Sequence, residues 1–284
     1  MELQKIGVIG AGVMGTGVAE SLAASGFEVI LVDHSRDALS RCQAQLQRSA
    51  RFAGMFAAKP ATRKLDAAGL QRVRFTEQLA DVSEADFVIE NVVEKWPVKE
   101  AVFRGLSAVC RASCVLASNT SVISVTRSAS VVAEPQRVLG MHFMNPVPLI
   151  PAVEVIRGVH TSDETLQCAL ALLERLGKHG IVVADSPGFV SNRVLMLTIN
   201  EAIWLLQDGV STAENVDRIF RECMGHRLGP LATADLIGLD TILLSLEGLV
   251  EQFGDPKFRP CPLLRRMVDA GRLGAKSGEG FYPH

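Results

Sequence analysis

The sequence predicts an α/β first part built on a doubly wound, parallel sheet, followed by an all-α second part. Three observations lead there. Short runs rich in Val, Ile and Leu alternate with helical patterns as far as Asp185. Several of these runs are near-continuous in apolar residues, as strands buried on both faces must be. Beyond Asp185 the runs cease and helical periodicity takes over. Strand and helix in alternation argue a parallel sheet, and helices alone argue a separate unit.

The strand-like runs are KIGVIG at 5–10, EVILVD at 28–33, DFVIE at 86–90, SCVLASN at 113–119 and RVLGMHF at 137–143. AVEVI at 152–156 and GIVVAD at 180–185 follow. Helical patterns occupy 13–25, 36–55, 97–109 and 163–177. Ser186-Pro187 then reads as a helix start, Ser as N-cap and Pro at the first helical position. From there the expected helices are 188–207, 212–224, 231–253 and 261–271. The boundary falls near 184–186, which divides the chain into domains 1–184 and 185–284. The second is rich in apolar residues and is expected to bury a face against the first domain, a second subunit, or both. No internal repeat or low-complexity segment interrupts this organisation.

Composition narrows the function classes. The 284 residues are 48% hydrophobic with a formal net charge of −2. That is ample for two packed domains. No basic excess suggests nucleic acid. The six cysteines are scattered, and Cys110 and Cys114 lack a second ligand pair at metal spacing. Reduced thiols and no metal are expected. The N-terminus lacks a charged region ahead of a long apolar one, and no run is long enough to span a bilayer. A cytoplasmic protein without membrane attachment is expected.

GVIGAGVMGTG begins inside the first strand and opens a helix, with Gly10, Gly12 and Gly15 fitting G-x-G-x-x-G. The first glycine permits the tight turn, the second lets the backbone approach a pyrophosphate, and the third lets helix and strand pack closely. Val13 and Met14 stand at the helix N-terminus, where free N–H groups and partial positive charge favour phosphate. Asp33 ends the second strand, twenty-three positions past Gly10. Its carboxylate suits two ribose hydroxyls and repels a 2′-phosphate, so NAD is favoured over NADP. Arg36, close by, is the feature that would suit NADP. The alternative for Asp33 is a helix cap. With strand, loop, helix and acid in order, the unit reads as a Rossmann-type NAD-binding domain.

His142 and Glu154 flank a proline-rich stretch in GMHFMNPVPLIPAVEVI. His142 follows a buried strand and precedes a turn signal, Asn145-Pro146, which places it at the carboxyl edge of the sheet, where such folds bind ligands. Glu154 lies between Val153 and Val155, and an acid so placed is costly without a partner. A histidine supplies one. The pair would hold one imidazole tautomer and stabilise the imidazolium. On spacing alone it serves equally well as a structural buried pair.

Four segments together carry a resemblance across nearly the whole chain. They are GVIGAGVMGTGVA at 7–19, ASNTS at 117–121, HFMNPVP…VEVI at 142–156 and SPGFVSNR at 186–193; GRLGAKSGEGFY at 271–282 adds to them. The chain resembles the 3-hydroxyacyl-CoA dehydrogenase family, of 3-hydroxybutyryl-CoA dehydrogenase type. The resemblance implies an NAD-binding domain followed by a helical domain that makes a homodimer. It implies reversible oxidation of a 3-hydroxyacyl thioester to the 3-ketoacyl thioester. His142 is then the acid/base and Glu154 its orienting carboxylate. Ser121 contacts substrate near the reacting carbon, and Asn192 helps bind substrate and cofactor. Asn145 falls at another active-site contact, on the cofactor side, Glu94 and Lys99 at positions near the nicotinamide half of the cofactor, and Ser49 at a carrier-contacting serine. Each has an ordinary reading too. Ser121 could cap a helix at 122–128, Asn192 could be a core amide, and Glu94 with Lys99 a surface pair.

The pattern departs from the family in two places. Pro151 stands where the family carries a lysine, and Phe56 where another lysine contacts coenzyme A, although Lys59, Arg63 and Lys64 remain nearby. Coenzyme A favours point positive charges. An acyl-carrier protein, whose phosphopantetheine arm lacks the adenosine 3′-phosphate, is therefore the alternative carrier, as in polyketide pathways. A crystallin-like structural role on the same fold is the alternative from another class. A hydroxyisobutyrate-type dehydrogenase, with its lysine base, is disfavoured by the histidine motif.

Overall fold

The computed structural model describes residues 3–52 and 63–284. Phe56 and Lys59 lie outside the described residues. By its internal contacts the chain forms two compact units, Met1–Ser186 and Pro187–His284.

In the first unit β1 (Lys5–Ile9), α1 (Val13–Ala24), β2 (Glu28–Val32) and α2 (Arg36–Phe52) come first. They are followed by α3 (Ala67–Leu70), β3 (Val73–Thr76), β4 (Phe87–Glu90) and α4 (Trp96–Val109). β5 (Val115–Ser118), α5 (Val125–Ala129), β6 (Val138–His142), β7 (Ala152–Arg157), α6 (Asp163–Arg175) and β8 (His179–Ala184) complete it. Among the described residues the strands make one eight-stranded sheet, ordered β3-β2-β1-β4-β5-β6-β7-β8. Chain order reverses between β1 and β4, the crevice where doubly wound sheets take ligands. Ile6, Val8, Leu31, Phe87 and Ile89 are buried in the central strands, with Leu22 of α1 against them.

The sheet departs from the expected all-parallel pattern at one pair. β6 and β7 run antiparallel, with His142 directly opposite Glu154. The intervening segment, 143–151, is too short for a crossover helix, so the chain returns as a hairpin. β3 has no counterpart among the expected runs. VRFT is short, and only its first residue is buried, so its apolar signal is weak.

The second unit holds α7 (Ser191–Gln207), α8 (Ala213–Glu222), α9 (Pro230–Ile237), α10 (Leu239–Phe253) and α11 (Pro262–Asp269) around a core of Ile199, Ile203, Leu231, Leu246 and Phe258. The helix expected from 188 starts at Ser191. Gly188 and Phe189 take positive φ, 72° and 49°, which a helix cannot contain. The single helix expected over 231–253 is two helices, broken at Gly238 with φ 102°. The unit boundary lies two residues past the expected one. Asp185 is tied into the first unit by its N–H to Arg157 O (3.1 Å) and by its carboxylate, which accepts from Ser124 Oγ and Thr126 N, both at 2.7 Å. Buried Asp235 fastens the C-terminal segment by accepting from Phe281 N and Tyr282 N, each at 2.9 Å.

No described helix is long and apolar enough to cross a membrane.

Candidate functional site

The glycine loop turns sharply out of β1. Gly10 has φ 99°, and a Cβ there would lie 2.8 Å from Asn91 O. A Cβ on Gly15 would collide with the Gly10 carbonyl, so α1 packs on β1 only through glycine. Gly12 differs: a Cβ would meet nothing within 4 Å. The protein itself does not require that glycine, whereas an approaching phosphate would. Gly12 is also the N-cap of α1 and makes no side-chain cap, which leaves the N–H groups of the first turn, Val13 and Met14 included, for an anion. These features fit a dinucleotide pyrophosphate.

Asp33 stands at the end of β2. Its Oδ2 accepts from Ala11 N at 2.8 Å and its Oδ1 from Ser35 N at 2.9 Å. It therefore anchors the glycine loop as well as presenting a carboxylate beside it. Arg36, largely exposed, pairs with Glu77, Nε to Oε1 at 2.5 Å.

The acid–base pair assembles from the hairpin. His142 Nδ1 lies 2.9 Å from Glu154 Oε2, and both side chains are buried. Ser121 Oγ lies 3.1 Å from His142 Nε2. With Nδ1–H donating to the carboxylate, Nε2 is left to accept, and it faces the Ser121 hydroxyl. Ser121 does not cap a helix; Ser124 does, accepting from Arg127 N at 3.2 Å. Asn119 supports the strand end, its Oδ1 accepting from Phe143 N (3.1 Å) and its Nδ2 donating to Asn91 Oδ1 (2.8 Å).

Glu94 and Lys99 are not a surface pair. Lys99 is fully buried, its Nζ between Glu90 Oε1 and Oε2 at 2.8 and 2.9 Å. Glu90 also accepts from Ser118 Oγ (2.8 Å) and Val92 N (2.7 Å). Burial raises its carboxyl above the ordinary range, opposed by the ammonium, the hydroxyl and the backbone N–H. Glu94 Oε2 is 3.6 Å from Lys99 Nζ, and its side chain remains one third exposed. Its Oε1 accepts from Thr120 Oγ1 and, at 3.2–3.3 Å, from the N–H groups of Ser121, Val122 and Ile123. Lys99 thus stands behind Glu94, and Glu94 holds the turn that carries Ser121.

Asn145 is exposed and lines a groove of about 720 Å³ with Gly12, Val13, Thr16, Arg41 and Arg48. Ser49, half-buried on α2, bonds to Glu20, whose carboxyl is pushed up by burial. Asn192 lies in the first turn of α7, in the second unit.

The sequence reading missed Glu90, Ser118 and Asn119. Like Glu154, Glu90 is an acid in an apolar run; it ends the strand DFVIE and has a lysine nine residues on.

The model for the 3-hydroxyacyl-CoA dehydrogenase NAD-binding domain matches residues 5–186, and that for the 3-hydroxyacyl-CoA dehydrogenase C-terminal domain matches 188–284. A probable 3-hydroxybutyryl-CoA dehydrogenase of Bacillus subtilis is 45% identical, over 100% of this chain and 98% of its own. The mitochondrial hydroxyacyl-coenzyme A dehydrogenase of Sus scrofa is 34% identical, over 99% and 91%. The crystal structure of (S)-3-hydroxybutyryl-CoA dehydrogenase from Ralstonia eutropha superposes with a TM-score of 0.92 at 40% identity, covering 100% of this chain and 99% of that one.

Proposed function

The chain belongs to the 3-hydroxyacyl-CoA dehydrogenase family and is an NAD-dependent enzyme of that class, and we propose that it interconverts a short 3-hydroxyacyl-CoA and its 3-ketoacyl-CoA with His142 as acid and base. The observation that carries this reading is the Ser121–His142–Glu154 line, 3.1 and 2.9 Å in its two links.

Bound NAD supplies the hydride acceptor. The protein's own residues handle the proton. A substrate hydroxyl that also contacts Ser121 Oγ lies within proton-transfer reach of His142 Nε2. As Nε2 takes the proton the ring becomes cationic, and Glu154, 2.9 Å from Nδ1, stabilises that charge. In reverse, the imidazolium returns the proton to the oxygen formed from the ketone. The surroundings are buried, which strengthens the charge–charge term and keeps bulk water from competing for the proton.

Cofactor contacts are assigned by the same reading: Gly10, Gly12, Val13, Met14 and Gly15 to the pyrophosphate, Asp33 to the adenosine ribose. Glu94, with Lys99 behind it, serves the nicotinamide half, and Asn145 is a further cofactor contact at the active site. Asn192 is assigned to substrate and cofactor binding. Exposed Val194, Leu236 and Leu244 there support a homodimer.

Two variants test the parts. Glu154→Gln removes the charge that compensates the imidazolium and lowers kcat by about tenfold to a hundredfold, with little change in NADH affinity. Unaltered kcat would reduce Glu154 to a packing role. Asp33→Ala removes an acceptor for ribose hydroxyls and an anchor of the glycine loop. Loss of charge-assisted hydrogen bonds, each worth about 1.5–3 kcal/mol, raises the NADH Kd by at least about tenfold. A fluorescence titration that finds the NADH-over-NADPH preference unchanged would sink the ribose assignment.

The reading as a whole is tested by NADH-dependent reduction of acetoacetyl-CoA, compared with acetoacetyl acyl-carrier protein at matched concentration. Efficient turnover of the coenzyme A form is expected, with Pro151 tolerated. Turnover on the carrier protein alone would transfer the enzyme to a biosynthetic assembly line. Turnover of neither would overturn the proposed substrate.

A further inference from the structure

We propose that Lys178 is a positioning residue for the acid–base pair: its buried ammonium fixes the proline-rich loop that joins His142 to Glu154. This rests on the proton-handling role given to that pair.

The loop, residues 143–151, is rich in acceptors and poor in donors. Pro146, Pro148 and Pro151 carry no N–H. Two of the remaining donors, Leu149 N and Ile150 N, turn back onto a single acceptor, Pro146 O, at 3.0 and 3.2 Å. The carbonyls of Val147 and Ile150 need donors from elsewhere, because buried backbone polar groups must be paired.

Lys178 supplies them. Its Nζ donates to Val147 O at 2.6 Å and to Ile150 O at 2.7 Å. The next residue continues the grip, His179 N donating to Pro151 O at 2.7 Å. An ammonium has three donors at one point and no acceptor, which suits converging carbonyls better than any other side chain. The arrangement is costly. Lys178 is only 7% exposed, burial pushes its pKa down, and among the described residues no carboxylate forms an ion pair with it. A buried cation balanced by carbonyl dipoles alone implies that the order it imposes is needed.

That order reaches the cofactor side as well. Val147 is buried, and a Cβ placed on Gly17 of α1 would lie 3.0 Å from Val147 Cβ. Val147 is therefore pinned from two sides, by Lys178 at its carbonyl and by α1 at its side chain. α1 is the helix whose N-terminus fits the dinucleotide phosphates. One lysine thus couples the hairpin bearing His142 and Glu154 to the helix that locates the cofactor, and so sets the spacing on which hydride and proton transfer depend.

The test uses the full chain with Lys178→Met, an uncharged side chain of similar length, and Lys178→Arg, which keeps charge and donors. Hydrogen exchange followed by mass spectrometry reads the loop, and reduction of acetoacetyl-CoA reads the pair. In the Met variant exchange at Leu149 and Ile150 is expected to quicken by about tenfold or more. Its kcat falls by about tenfold to a hundredfold, the scale of a small misplacement, while the NADH Kd stays within about twofold. The Arg variant recovers part of both losses. Unchanged exchange in the loop, or unchanged kcat despite a loosened loop, overturns the proposal. Should the Met variant fail to fold, Lys178→Gln, with its uncharged donor, decides by the same two readouts. A wild-type protein that leaves acetoacetyl-CoA unreduced counts against the substrate reading instead, and the exchange measurement alone then decides whether Lys178 holds the loop.

Discussion

Replacing His142 with glutamine is expected to lower kcat by on the order of a thousandfold while leaving NADH bound as tightly as in the wild type. Glutamine keeps a polar group of similar reach but cannot take or give a proton at neutral pH. His142 Nε2 is the ring atom that faces Ser121 Oγ, at 3.1 Å. Its other nitrogen is committed to Glu154 at 2.9 Å. A single basic ring atom is therefore left for proton transfer in the proposed reaction, and the substitution deletes it. The glycine loop and Asp33 belong to the opposite side of the switch point, held by bonds to Ala11 and Ser35 that do not involve His142. Binding and turnover should accordingly separate. Stopped-flow reduction of acetoacetyl-CoA together with an NADH fluorescence titration checks both halves. Wild-type turnover in the variant would remove His142 from the chemistry, and lost NADH binding would mean that the substitution had disturbed the fold.

Glu90→Ala is expected to cost about 3–5 kcal/mol of stability, because it strands a buried ammonium. Lys99 Nζ is fully buried and takes its two short contacts, 2.8 and 2.9 Å, from Glu90. What remains is Asn119 O at 3.4 Å and Glu94 Oε2 at 3.6 Å. Neither replaces a two-oxygen carboxylate. For a unit of this size the melting temperature should fall by roughly 6–20 °C. Pulling Glu94 toward Lys99 would also loosen the turn at Ser121–Ile123, whose N–H groups Glu94 now accepts. The double variant Glu90→Leu/Lys99→Met removes both charges and should recover much of the loss. Melting curves of Glu90→Leu, Lys99→Met and the double variant complete the cycle. If Glu90→Ala melts within about a degree of wild type, the pair contributes no net stability in the way argued.

Much of the first unit was legible because its strands are buried on both faces and its glycine loop has little freedom. KIGVIG, EVILVD and DFVIE announce themselves through composition alone. β3 did not, since VRFT buries little and sits at a sheet edge. The breaks at Gly188–Phe189 and Gly238 were hidden because helical periodicity continues through them, and positive φ leaves no trace in hydrophobic spacing. At the site, His142 and Glu154 stood out as polar residues in apolar runs. Lys178 did not, because a lysine before a strand reads as solvated. Its burial depends on carbonyls of a loop some thirty residues earlier, a tertiary fact with no local signature.

The hairpin that carries His142 and Glu154 also bears on how the site is made during synthesis. The two residues are 12 apart in the chain, and the hairpin that pairs them and β8 beside it all belong to the first unit. The sheet, its glycine loop and the His142–Glu154 hydrogen bond can therefore form while residues 187–284 are still being translated. The His142–Glu154 contact is thus local to one hairpin, and the helical unit, with a core of its own, follows it in the order of synthesis.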